Sequence, residues 1–223
     1  MACNIVVLAS GNGSNFEALC DGVADGRIPD AVISRLIVNR AAAGATARAD
    51  RRSIPWEYFN LVAHGFLQKG ERDPEKVRRA RDDYDAALAR RILDIARPDL
   101  VVLAGWMHVF GASFLDPLAE AGVKVINLHP ALPGQYDGAQ AIERAYQDFL
   151  AGRLERNRTG VMVHHVIQQV DRGEAILTRE VECLRDDDLE RLMGRMHAVE
   201  HELIVEATAI VAAEVVLSRR RGP

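Results

Sequence analysis

The sequence predicts an α/β protein: a Rossmann-like, open, mostly parallel sheet flanked by helices, with a C-terminal antiparallel extension and a long C-terminal helix. Three observations carry this. Short, β-branched apolar runs alternate with helix-period segments over residues 1 to about 128, as parallel strands joined by helical crossovers do. Two later strand-like runs are separated only by Val170-Asp171-Arg172-Gly173-Glu174, which has turn chemistry. Residues 187–217 form one long helical pattern.

Element by element, residues 4–9 (NIVVLA) end in a glycine turn and read as a buried strand. Residues 15–23 read as a helix start, 31–38 as a second strand, alanine-rich 41–51 as a helix and 54–59 as a third strand. Residues 64–73 are polar with two glycines, a loop. From Pro74 onward Val77, Ala80, Tyr84, Leu88, Ile92 and Ile95 recur at helical spacing, and Pro98 marks the stop. Residues 100–104 and 123–128 are the fourth and fifth strands, the latter stopped by Pro130, which cannot donate to a ladder. Residues 139–151 read as a helix. In 159–167 alternation places Val161, Val163, His165 and Ile167 on one face; 175–181 is the last strand. Leu189, Leu192, Met196, Leu203, Ala207, Ile210 and Val211 form the expected buried stripe of the final helix.

The chain has 223 residues, enough to bury about 70% of its unfolded surface in one domain without staples. No interdomain linker or repeat divides it. A net charge of -4 gives no general attraction to nucleic acid or acidic membranes. The Ser218-Arg219-Arg220-Arg221 run reads as a solvated helix end. Three cysteines, Cys3, Cys20 and Cys183, lie far apart with no C-x-x-C, which fits a reducing compartment and no thiolate metal site. The first strand begins within about four residues, leaving no room for a signal peptide; the expected location is cytoplasmic.

Five motifs offer chemistry. Asn127-Leu128-His129-Pro130 closes a buried strand, where alternation points Asn127 and His129 to one side. An amide donor and a titratable imidazole at a strand's carboxyl end suit a reaction that develops negative charge on oxygen. Ser10-Gly11-Asn12-Gly13-Ser14-Asn15 opens a helix and forms an anion cradle, or else a tight turn with Ser14 or Asn15 as N-cap. It is neither a Walker A nor a full dinucleotide fingerprint, since Phe16 takes the third glycine position. Ala104-Gly105-Trp106-Met107-His108 offers an apolar wall continued by Val109 and Phe110. Asp171, placed near His129, would raise its pKa and fix its tautomer; the alternative is an Asx-turn. His197-Ala198-Val199-Glu200-His201 matches H-x-x-E-H and keeps a zinc peptidase using His197, Glu200 and His201 as a rival.

Together, IVVLASGNGSN, VVLAGWM, INLHPALPG, TGVMVHHVIQQVDRGE and HAVEHELIVEAT resemble the phosphoribosylglycinamide formyltransferases, in order and spacing, from residue 5 to about 208. The resemblance implies a single formyltransferase domain over 1–223. Residues 1–128 would bind the phosphate of glycinamide ribonucleotide, and residues 129–223 would help form a folate cleft. It implies 10-formyltetrahydrofolate as co-substrate, no resident metal, no nucleic-acid or membrane partner, and a monomer or homodimer. By position it makes Asn127, His129 and Asp171 catalytic. It assigns Gly13, Ser14, Asn15, Glu200 and His197 to the ribonucleotide. Met107, His108, Val109, Phe110, Asn127 and Arg81 fall to the folate. His108 stands where many relatives carry Arg, His197 where some carry Gln, and Gln135 and Asp137 where others carry Lys and Pro. Arg172-Gly173-Glu174 also departs from the common pattern. Formyltetrahydrofolate hydrolases and other formyltransferases share the trio and are the nearest alternatives; a nucleotide-binding regulatory module with an idle trio is a third.

Overall fold

The computed structural model describes residues 2–221, without the side chain of Arg221. Seven strands form one sheet in the order β3-β2-β1-β4-β5-β6-β7. They are β1 (Cys3–Ala9), β2 (Ala31–Val38), β3 (Trp56–Tyr58), β4 (Leu100–Leu103), β5 (Lys124–His129), β6 (Arg158–His165) and β7 (Ala175–Glu182). The first five pair in parallel; β6 and β7 add antiparallel. The helices are α1 (Ser14–Ala24), α2 (Ala45–Arg51), α3 (Pro74–Ile95), α4 (Ala112–Glu120), α5 (Ala141–Leu150) and α6 (Leu189–Arg221).

Alternation explains how the sheet takes helices on both faces. Ile5, Val7 and Ala9 of β1 join Leu100 and Val102 of β4 in a cluster with α1, α2 and α6. Val6, Leu8, Val101 and Leu103 pack on the other face against Tyr84, Leu88 and Ile92 of α3 and Phe114 and Leu118 of α4. Chain order reverses between β1 and β4, so the loops leaving their carboxyl ends diverge to opposite faces and open a crevice there. The Ser10 N–H donates to the Gly105 carbonyl at 3.0 Å across this switch point, and Ser10 Oγ accepts from the Met107 N–H at 2.8 Å.

Several expectations need correction. Helix α2 starts only at Ala45, and residues 41–44 form a turn. Helix α4 was not expected: Phe114, Leu115 and Leu118 give it a short apolar stripe, but Pro117 inside it masks the pattern. In β6 the predicted one-sided stripe is wrong, because this strand lies between β5 and β7 and is buried on both faces from Thr159 to His164; Ile167 lies beyond its end and is 42% exposed. On α6, Ile210 is exposed, while Ile204, Val205, Ala212 and Val216 widen the buried stripe. The basic end is not simply solvated: Arg219 pairs with the largely buried Asp99, and Arg220 reaches Asp30 at 3.3 Å. The side chain of Arg221 lies outside the described residues. The three cysteines are buried and unpaired; burial raises Cys3 and Cys20 to about 11. No described helix is long and apolar enough to cross a membrane.

Candidate active site

A cavity of about 460 Å³ lies over the carboxyl ends of β1, β4 and β5. At one side Asn15 lines the cavity, just after the glycine turn; Gly13 and Ser14 are not among the lining residues. Gly13 adopts φ +84 as the N-cap of α1 and offers no side-chain cap. A Cβ there would come within 2.6 Å of Ala45, so only glycine lets the turn close on α2. The first N–H groups of this eleven-residue helix therefore have no side-chain cap. Neither Ser14 nor Asn15 is the N-cap. Asn15 instead donates through Nδ2 to Glu200 Oε2 at 3.1 Å, linking α1 to α6, and both side chains line the cavity. Glu200 is 6% exposed, and burial raises its pKa against the opposing bond from Asn15. Arg48 of α2 pins the turn from outside, donating to the Asn12 carbonyl at 2.9 Å.

At the other side, Asn127 and His129 share the sheet face opposite Ile126 and Leu128, as alternation requires. The hairpin loop between β6 and β7 brings Asp171 to them. Its Oδ2 lies 3.4 Å from His129 Nδ1 and accepts the Gly138 N–H at 2.8 Å; its Oδ1 accepts from Asn127 Nδ2 at 3.4 Å. Asp171 holds φ 54, and a Cβ on Gly173 would overlap the His165 carbonyl, so the loop is pressed onto the strand end. Beside it, Arg172 donates from Nε to Asp137 Oδ2 at 2.7 Å, tying the hairpin loop to the segment after β5.

His164 completes this cluster and is absent from the sequence reading. It is the register partner of Asn127 across the β5–β6 pair, so the two side chains share a face. Its Nδ1 donates to the His165 carbonyl at 2.8 Å, which turns Nε2 toward Asn127 Nδ2 at 3.2 Å and Asp171 Oδ1 at 3.5 Å.

Electrostatics follow from burial. His129 is 4% exposed, and desolvation lowers its pKa below the ordinary value, outweighing the upward pull of Asp171. The expected net rise is thus reversed. Burial pushes Asp171 up, but the bonds from His164 and Gly138 and the two imidazoles hold it below the usual carboxylate value. The backbone of Gln135 and Tyr136 adds a smaller upward pull on the His129 ring.

The remaining expected residues divide. Met107, His108, Val109 and Phe110 line the cavity. His108 is held from behind, its Nε2 2.6 Å from Asp85 Oδ1. Arg81 donates to the Val109 carbonyl at 3.2 Å and does not line the cavity. His197 is exposed on α6, one turn before Glu200 and outside the lining. The H-x-x-E-H pattern gathers no third metal ligand among the described residues, and Glu200 turns to Asn15.

Residues 3–208 match the family model described as formyl transferase. The chain belongs to the phosphoribosylglycinamide formyltransferase family. It is 39% identical to a phosphoribosylglycinamide formyltransferase of Dictyostelium discoideum over 96% of this chain and 100% of that protein. A Schizosaccharomyces pombe protein of the same name is 40% identical over 93% of this chain and 96% of its own length. Among solved structures, a glycinamide ribonucleotide transformylase from Symbiobacterium toebii superposes with a TM-score of 0.77 at 30% identity. It covers 96% of this chain and 89% of that one. The mostly parallel sheet, antiparallel end strands and long C-terminal helix are the fold of these enzymes.

Proposed function

We propose that this chain transfers the formyl group of 10-formyltetrahydrofolate to the amine of glycinamide ribonucleotide, in cytoplasmic purine synthesis. One observation carries the reading: a single cavity joins Asn15 and Glu200, beside an uncapped helix end, to Asn127, His129 and Asp171. The first group suits a phosphorylated sugar, the second an acyl transfer.

In this reading the phosphate sits on Gly13, Ser14 and Asn15. Glu200 takes the ribose, with His197 at the outer edge. The folate lies against Met107, Val109 and Phe110, with His108 behind and Arg81 at the rim. The substrate amine attacks the formyl carbon, forming the new C–N bond and sending the carbonyl π pair to oxygen. Asn127 redirects to that oxygen the N–H it holds at 3.4 Å from Asp171. The proton shed by the amine passes to neutral His129 through water beside Asp171. The resulting imidazolium then donates a charge-assisted bond to the oxyanion, and ionised Asp171 steadies the cation. The C–N bond to the folate breaks next; its electron pair stays on the folate nitrogen, which takes up the proton. No covalent enzyme intermediate is involved.

The test compares acceptors. Formyl transfer should require glycinamide ribonucleotide, with little loss of formyl to water. Equal deformylation with and without the ribonucleotide would favour a hydrolase. Ribonucleotide binding without any formyl transfer would favour a regulatory module.

A further inference from the structure

Residues 104–111 carry the chain from β4 to α4 outside any helix or strand. Met107 and Val109 in this stretch are 62% and 51% exposed, turned to the cavity. Trp106 and Phe110 anchor the segment in the core, but Met107 and Val109 between them gain little from burial, so polar contacts must fix that part. Its first part is tied to the end of β1 through Ser10. Its second part is tied to α3. Asp85 is 2% exposed and spends both oxygens there: Oδ1 stands 2.6 Å from His108 Nε2, and Oδ2 accepts the Gly111 N–H at 2.8 Å. One turn earlier on the same helix face, Arg81 holds the Val109 carbonyl.

The anchor is itself backed. Tyr84 meets His108 edge-to-face at 5.1 Å and stacks on Phe59 at 5.2 Å. Phe66, from the polar loop before α3, packs edge-on against both. That loop, which the sequence left without a role, thus supports the wall from outside. A buried carboxylate is costly to keep unless its bonds matter, and these bonds serve one short stretch.

We propose that Asp85 is a positioning residue for the co-substrate: through His108 and Gly111 it fixes the wall formed by Met107, Val109 and Phe110. This rests on the reading of the cavity as a folate site. Asp85→Leu removes both bonds at similar volume. It should raise KM for 10-formyltetrahydrofolate about tenfold or more, while kcat and KM for the ribonucleotide stay within about twofold. Binding of 5-formyltetrahydrofolate, measured by calorimetry, should weaken by the same factor. Asp85→Asn, which keeps an acceptor for Gly111, should recover part of the loss. An unchanged folate KM, or equal rises for both substrates, would overturn the proposal. If Asp85→Leu does not fold, Asp85→Asn, which gives up the carboxylate held by His108, should still raise the same KM about threefold; no change there overturns it. Wild-type protein that binds 5-formyltetrahydrofolate but transfers no formyl group would instead sink the functional reading, and the binding measurement would still decide the role of Asp85.

Discussion

The two sides of the cavity are built from different materials. The glycine turn is contiguous in sequence, and its donors are backbone N–H groups that cannot titrate. The Asn127–His129–His164–Asp171 cluster comes from two strands and a hairpin loop, and its charges are set by burial. The first side gives a backbone cradle that cannot titrate, joined to a single side-chain pair, Asn15 and Glu200. The second gives chemistry, at the cost of depending on a few long-range contacts. Substitutions should therefore divide cleanly: binding defects on one side, turnover defects on the other.

The largest expected effect is on the chemical side. Asp171→Asn should lower kcat about 10³-fold with both KM values little changed, because the imidazolium loses its counter-charge. Steady-state kinetics beside circular dichroism would check that the fold survives. Asn127→Ala should cost about 100-fold in kcat, near 3 kcal/mol, as one oxyanion donor is lost. Gly173→Ala forces Asp171 away from the strand end. It should lower kcat about tenfold and stability by about 1–3 kcal/mol, read by thermal melting.

On the binding side the effects are smaller. Glu200→Gln should raise KM for the ribonucleotide about tenfold and leave the folate KM alone. A drop in kcat with no change in either KM would erase the distinction between the two sides.

The pH dependence sharpens the same contrast. Burial lowers the pKa values of His129, His165 and His201 from 6.5. A histidine with a depressed folded value binds fewer protons folded than unfolded. Its contribution is full above pH 6.5 and is lost as pH falls through the folded value. Melting temperature should thus hold steady from pH 7 to 8 and decline below 6.5. The acid limb of kcat/KM should also lie below 6.5, and in Asp171→Asn it should move lower still, since the charge that pulls His129 upward is gone.

This division also governs what could be read from the sequence. The glycine turn was legible because strand, turn and helix start are local. The parallel core was legible for the same reason: β1 from Ile5 onward and all of β4 are apolar because both faces are covered. Asn127 and His129 followed from alternation within one strand. His164 did not, because its place opposite Asn127 depends on the β5–β6 register, and one-face alternation favoured His165. The ionisation of His129 was misjudged because the charge of Asp171 was visible and the depth of burial was not. Helix α4 escaped because Pro117 interrupts its short pattern. Asp85 looked like one more polar residue on a charged helix until the chain folded His108 and Gly111 onto it.

The most direct test of the account is formyl transfer by Asp171→Asn and wild type at saturating glycinamide ribonucleotide and 10-formyltetrahydrofolate. Wild type should show ribonucleotide-dependent transfer, and the folded variant should be about 10³-fold slower, with both KM values nearly unchanged. A variant that turns over near the wild-type rate would contradict it.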